Sequence, residues 1–210
     1  MRLKEFDIDP DNVDVDLIAV SQAPTAGGTL TLATTVLDFA RQVAVTSVGN
    51  DTGVTFTVVG TDADTYPLTE VLTGVSAGAV ESTEYFKTIT SIANSAATAT
   101  GGITVGTVDE LITKTIPIDW RSDHQATVNV DVTGVIDFTL EQTFDDVQRP
   151  GFPARSASQN SQWIAVATSG AADNTLNPLL GATAIRLKVN SYTDTAEIQM
   201  NLVHPTGRRT

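Results

Sequence analysis

Strict alternation of apolar and polar residues limits this chain more than any other feature of its sequence. In ATVNVDV (126–132), Val128, Val130 and Val132 fall on one side of an extended strand, Asn129 and Asp131 on the other. VIDFTLEQ (135–142) sets Ile136, Phe138 and Leu140 against Asp137, Thr139 and Glu141. AIRLKVN (184–190) sets Ile185, Leu187 and Val189 against Arg186, Lys188 and Asn190, and AEIQMNLV (196–203) sets Ile198, Met200 and Leu202 against Glu197, Gln199 and Asn201. A period of two places successive side chains on opposite faces of a sheet, so each stretch predicts a strand with one dry and one wet face, the pattern of antiparallel sheets. The first half repeats it more loosely in TLTLATTVL (29–37), RQVAVTS (41–47) and VTFTVVG (54–60), where Phe56 and Val58 share a face, and continues through PLTEVLTG, EYFKTITSI and GITVGT. Turn-forming clusters separate these runs every ~8–12 residues, as in a sandwich or barrel. No helical period rises above this background. The 33 threonines and 23 valines agree with it, because β-branched side chains lose rotamer freedom in helices and suit a pleated surface.

The expected fold is therefore all-β: two antiparallel β-sandwich domains, Ig-like or jelly-roll-like, over 29–113 and 114–210. They are preceded by an extended acidic N-terminal arm, 1–28, that carries Asp7, Asp9, Asp11, Asp14 and Asp16 and closes at Pro24 and Gly27-Gly28. The domain boundary is expected near 108–118. QRPGFPARSASQNSQ (148–162) reads as a long loop inside the second domain, of a length that often serves contacts. With no cysteine in its 210 residues, the chain has neither disulfides nor thiolate zinc ligands. MRLKEFDIDPDN lacks the apolar core of a signal peptide, and no stretch reaches the ~18 apolar residues of a membrane helix. The expectation is a soluble protein made in the cytosol, with no membrane partner. A net charge of −13 repels phosphate backbones and argues against a nucleic-acid partner.

Several motifs spell chemistry, and each has a plainer reading. Asp51-Thr52-Gly53 is the aspartic-protease triplet, but that mechanism needs two facing carboxylates, and the chain has one such triplet. Asn50-Asp51-Thr52-Gly53 reads better as a turn, where Asn, Asp and Gly tolerate positive φ. Gly74-Val75-Ser76-Ala77-Gly78 is the GxSxG pattern of the nucleophile elbow, which requires a strand-to-helix turn in an α/β sheet and a later acid and histidine. Only His124 and His204 could supply that base, and the α/β alternation is missing, so a small-residue turn is expected. DIDPDNVDVD in the arm matches a calcium loop in three places, but Asn12 and Ile18 stand where an EF-hand needs Gly and Glu. A solvated acidic segment is the plainer reading, an irregular calcium site the other. DWRSDH (119–124) gathers Asp119, Asp123 and His124, too few for a metal without ligands from elsewhere. Trp120 and Trp163 could stack a sugar, though tryptophans more often anchor a core or interface. Asn50-Asp51-Thr52 matches a glycosylation sequon, which has no meaning without export. No catalytic, cofactor or metal residues are assigned, and the chain is expected not to be an enzyme and to need no cofactor.

TSVGNDTGVTFTVVGTDADTYPLTEVLTG followed by YFKTITSI and ITVGT resembles small β-sandwich virion structural proteins of tailed bacteriophages. So does VDVTGVIDFTLEQTFDDVQ followed, after a polar gap, by a Trp strand and AIRLKVNS. The likeness covers most of 41–203 and rests on cadence. It implies a virion protein that decorates or cements a capsid, or builds the neck or short tail. It also implies a homo-oligomer whose partners are the major capsid protein or neck and tail proteins, assembled in the host cytoplasm. The resemblance carries no site residues. The arm would act by adding a strand to a neighbour's sheet edge, with the 148–162 loop as a second contact. A glycan- or receptor-binding β module is the alternative from another class, and a hydrolase using Ser76 or Asp51 a third.

Overall fold

The structure is a computed structural model that describes residues 2–99, 101–118, 126–147, 161–169, 172–178, 181–193 and 195–204. Those residues form fifteen strands and no helix. No helix long and apolar enough to cross a membrane occurs among them. The protein is all-β with antiparallel sheets, as the alternation requires, in a sandwich-like arrangement.

The chain divides into two compact units, and the division is not two consecutive halves. One unit is Val13–Leu111; the other joins Met1–Asn12 to Ile112–Thr210. The first is thus inserted, in sequence, between the first strand of the second unit and the rest of it. This revises the expected arm at 1–28. Arg2–Ile8 form strand β1 of the terminal unit, and Val13 onward belongs to the inserted unit. The physical reason is legible in RLKEFDI afterwards: Lys4, Phe6 and Ile8 alternate with Leu3, Glu5 and Asp7, so the acidic stretch also carries a strand pattern with an apolar side.

In the inserted unit the strands are β2 (Ala19–Gln22), β3 (Val36–Asn50), β4 (Thr55–Thr61), β5 (Pro67–Thr73), β6 (Ser76–Glu81), β7 (Phe86–Asn94) and β8 (Ile103–Ile112), whose last residue already counts with the terminal unit. They run in the order β8-β3-β7-β4-β5, with β2 on β8 and β6 on β3. The two strands expected over 29–37 and 41–47 are replaced by one fifteen-residue strand starting at Val36. Its first half pairs β7 (Val36 with Thr88, Arg41 with Phe86) and its second pairs β6 (Ala44 with Glu81, Ser47 with Gly78). A polar residue at the junction does not break it, because Arg41, 1% exposed, donates from Nε to Asp38 Oδ1 at 2.6 Å and is neutralised there. Phe56, Val58, Phe86, Ile89, Ile92 and Val105 form the centre of the core. The segment before β2 crosses β8 so closely that a Cβ on Gly106 would stand 2.0 Å from the Asp14 carbonyl oxygen, and only glycine fits.

In the terminal unit, β9 (Ile116–Pro117), β10 (Thr127–Thr133), β11 (Ile136–Thr143), β12 (Ile164–Ser169), β13 (Asn174–Leu176), β14 (Ala184–Tyr192) and β15 (Glu197–His204) join β1. One sheet runs β1-β15-β10-β13; in the other, β11 lies between β12 and β14, and β9 pairs the first residues of β14. The four alternating stretches bury Val128 and Val130, Ile136, Phe138 and Leu140, Ile185, Leu187 and Val189, and Ile198, Met200 and Leu202, as their sequence assigns, whereas Val132 is only half-buried and Thr139 and Arg186, assigned to wet faces, are buried too. Each buried apolar side chain contributes about 1.5–3 kcal/mol relative to exposure.

Candidate functional site

The two catalytic signatures of the inserted unit meet in space, in adjoining turns. Asn50 at the end of β3 pairs with Ser76 at the start of β6. The Asp51 amide donates to the Val75 carbonyl at 3.0 Å, and the Gly74 amide donates to the Val54 carbonyl at 2.8 Å. A Cβ on Gly74 would stand 2.5 Å from the Asp51 carbonyl oxygen, so the glycine of the pattern is needed for backbone approach rather than for chemistry. Asp51 is 1% exposed, and its carboxylate turns inward. One oxygen accepts from the Ala99 amide at 2.6 Å, the other from the Ser47 hydroxyl. Ser76 is exposed. Of the two histidines, His204 belongs to the other unit and His124 lies outside the described residues. Asp51 thus ties β3 and the 95–99 segment through its carboxylate and the β5–β6 turn through its amide, and the carboxylate's partners are Ala99 and Ser47, not Ser76.

The remaining residues singled out in the sequence scatter. Asp7 and Asp9 belong to the terminal unit, Asp14 and Asp16 to the inserted one. Asp14 accepts from the Asp16 amide at 3.0 Å, an Asx turn that holds its carboxyl below the usual range. The hydrogen bond and charge of Asp14 push the Asp16 carboxyl up. Among the described residues no group of three or more His, Cys, Asp or Glu is placed to hold a metal ion. Asp119–His124, including Trp120, and 148–160 of the loop lie outside the described residues. Trp163 is half-buried; the Arg186 guanidinium sits 4.3 Å from its ring centroid, and Arg186 Nε donates to Glu141 Oε2 at 2.6 Å. With Arg186 over the ring, one stacking face of Trp163 is already occupied.

The sequence reading did not assemble the outer face of the four-stranded sheet. Register lines up Glu5, Asn201 and Asn129 in one row, and Asp7, Gln199 and Asp131 in the next. Gln199 Nε2 donates to Glu5 Oε1 at 2.6 Å, Asn129 Nδ2 donates to both Asp131 oxygens at 3.1 and 3.2 Å, and Thr175 Oγ1 donates to Asn129 Oδ1 at 3.0 Å. At the far end of the rows a cleft of about 240 Å³ is lined by Asp7, Asp9, Asp131, Thr133, Glu197 and Gln199. None of its four carboxylates forms an ion pair among the described residues. The face is a hydrogen-bonding surface of one charge sign, able to accept from cationic and amide donors. The signal for it was the alternation of RLKEFDI, which hides behind the charge of the arm. No protein-family model, no curated protein and no solved structure matches the chain.

Proposed function

We propose that this chain is a structural protein of a tailed-bacteriophage virion, and that it decorates or cements the capsid by non-covalent contacts with neighbouring subunits. The observation that carries the reading is the disposition of its polar groups. The Asp51 carboxylate is consumed in structural hydrogen bonds, while four carboxylates that form no ion pair among the described residues gather at a cleft on one sheet face. A molecule of that kind works through its outer surface. The cadence of 41–203 supports the same reading, and repeated copies would turn weak contacts into tight attachment. Its partners in this reading are the major capsid protein and copies of itself. Attachment at the neck or short tail is the neighbouring alternative within the same class.

Purified chain mixed with particles assembled without it provides the test. The chain is expected to pellet with the particles, and the triple variant Asp7→Asn/Asp131→Asn/Glu197→Gln to pellet several-fold less, because a charged contact is lost. A chain that stays in the supernatant with capsids and with tails alike would end the reading.

A further inference from the structure

We infer that β1 is an exchangeable strand: the Arg2–Ile8 segment of one copy completes the four-stranded sheet of a second copy by pairing with its β15. The inference deepens the assembly reading and rests on it, naming the partner as another copy of this chain and the docking place as the β15 edge.

Four observations support exchange. First, β1 is separated in sequence from the rest of its unit by the whole inserted unit, so its pairing with β15 is not fixed by a local connection. Second, it is an edge strand paired to β15 alone, through Arg2–His204 to Ile8–Ile198. It contributes one fully buried side chain, Ile8, while Leu3 is 59% exposed. Third, the slot it fills cannot stay empty. Ile198, Met200 and Leu202 of β15 are fully buried opposite Ile8, Phe6 and Lys4, and withdrawal of β1 bares them beside an unpaired row of backbone donors and acceptors. Fourth, the hinge is short and held. Residues 9–12 contain the buried Pro10, and the Tyr192 hydroxyl donates to the Asp11 carbonyl. A short hinge leaves little slack for closure and so invites exchange.

A second copy is the occupant that fits. Its β1 offers the same alternation, the same register and the Glu5 acceptor for Gln199. The closed and exchanged forms hold the same sheet contacts and differ at the hinge, so the balance between them is set by concentration. Isolated chains close on themselves, and chains crowded on a particle link to one another.

The absence of native cysteine makes the test clean. Glu5 and Asn201 are paired across the two strands on the solvent side. Full-length Glu5→Cys and Asn201→Cys variants, each checked for folding, are mixed at rising concentration under mild oxidation and resolved without reductant. A covalent heterodimer that grows with concentration, and that is missing when either variant is mixed with the parent chain, is the expected result. The double variant in one chain checks the register by closing an intrachain bond. A double variant that closes while the mixture yields no heterodimer, even after the two chains are unfolded and refolded together, overturns exchange. So does a double variant that forms neither an intrachain nor an interchain bond. If the particles still capture the chain in that case, exchange has failed and the virion reading stands.

Discussion

Asp51 shows how a residue can carry a catalytic spelling and a structural task. Its turn was legible in Asn50-Asp51-Thr52-Gly53, since that composition favours tight turns. Its second partner was not, because Ala99 is 48 residues away and the bond depends on how the sheet closes. Replacing Asp51 with alanine strands the half-buried Ala99 amide and leaves the Ser47 hydroxyl only the Gly49 carbonyl, and stability is expected to fall by about 1–3 kcal/mol for a lost buried acceptor. Ser76→Ala, at an exposed site in the next turn, is expected to change stability by less than about 0.5 kcal/mol. Urea denaturation of both variants checks the contrast. Equal and small effects would mean that the carboxylate is not holding the turns.

Strands with one dry face and one wet face could be read directly. β10, β11, β14 and β15 bury the sides that ATVNVDV, VIDFTLEQ, AIRLKVN and AEIQMNLV assign to them, because hydrophobic burial and the pleat specify the same register. Where a strand changes partner, the local pattern blurs. β3 pairs β7 and then β6, and its sequence reads as two pieces. β6, built from Ser76–Glu81, has too many small residues to announce itself, and Gly74–Gly78 reads as a turn. β1 was hidden differently: its pairing partner lies about as far away in sequence as the chain allows, with Gln199 reaching Glu5 across 194 residues, and no local signal encodes a contact of that range. A full-length chain lacking residues 2–8 is expected to lose at least about 3 kcal/mol, from the burial of Ile8 and several edge hydrogen bonds together. A peptide of residues 1–12 added in trans should restore most of that loss. Thermal unfolding with and without the peptide measures both effects, and a deletion that leaves the melting temperature unchanged would show that β1 is dispensable.

At the scale of the whole molecule, the insertion of Val13–Leu111 within the terminal unit ties the two ends of the chain into one sheet. The candidate surface is built from both ends: Glu5, Asp7 and Asp9 from the start, Asp131 from the middle, Glu197, Gln199 and Asn201 from the last strand. That explains why the motifs were legible and the surface was not. Motifs are local strings, whereas this face exists only once β1, β15 and β10 lie side by side. A net charge of −13 opposes the close approach of free chains.

The most direct test of the proposed role, surface contact within a tailed-phage virion, is an electron cryomicroscopy map of the particle to which the proposal assigns the chain. Strand-rich density fitting both units, repeated at symmetry-related positions on the shell, is the expected result. A complete map of capsid, neck and tail in which no density accommodates the chain would contradict the claim.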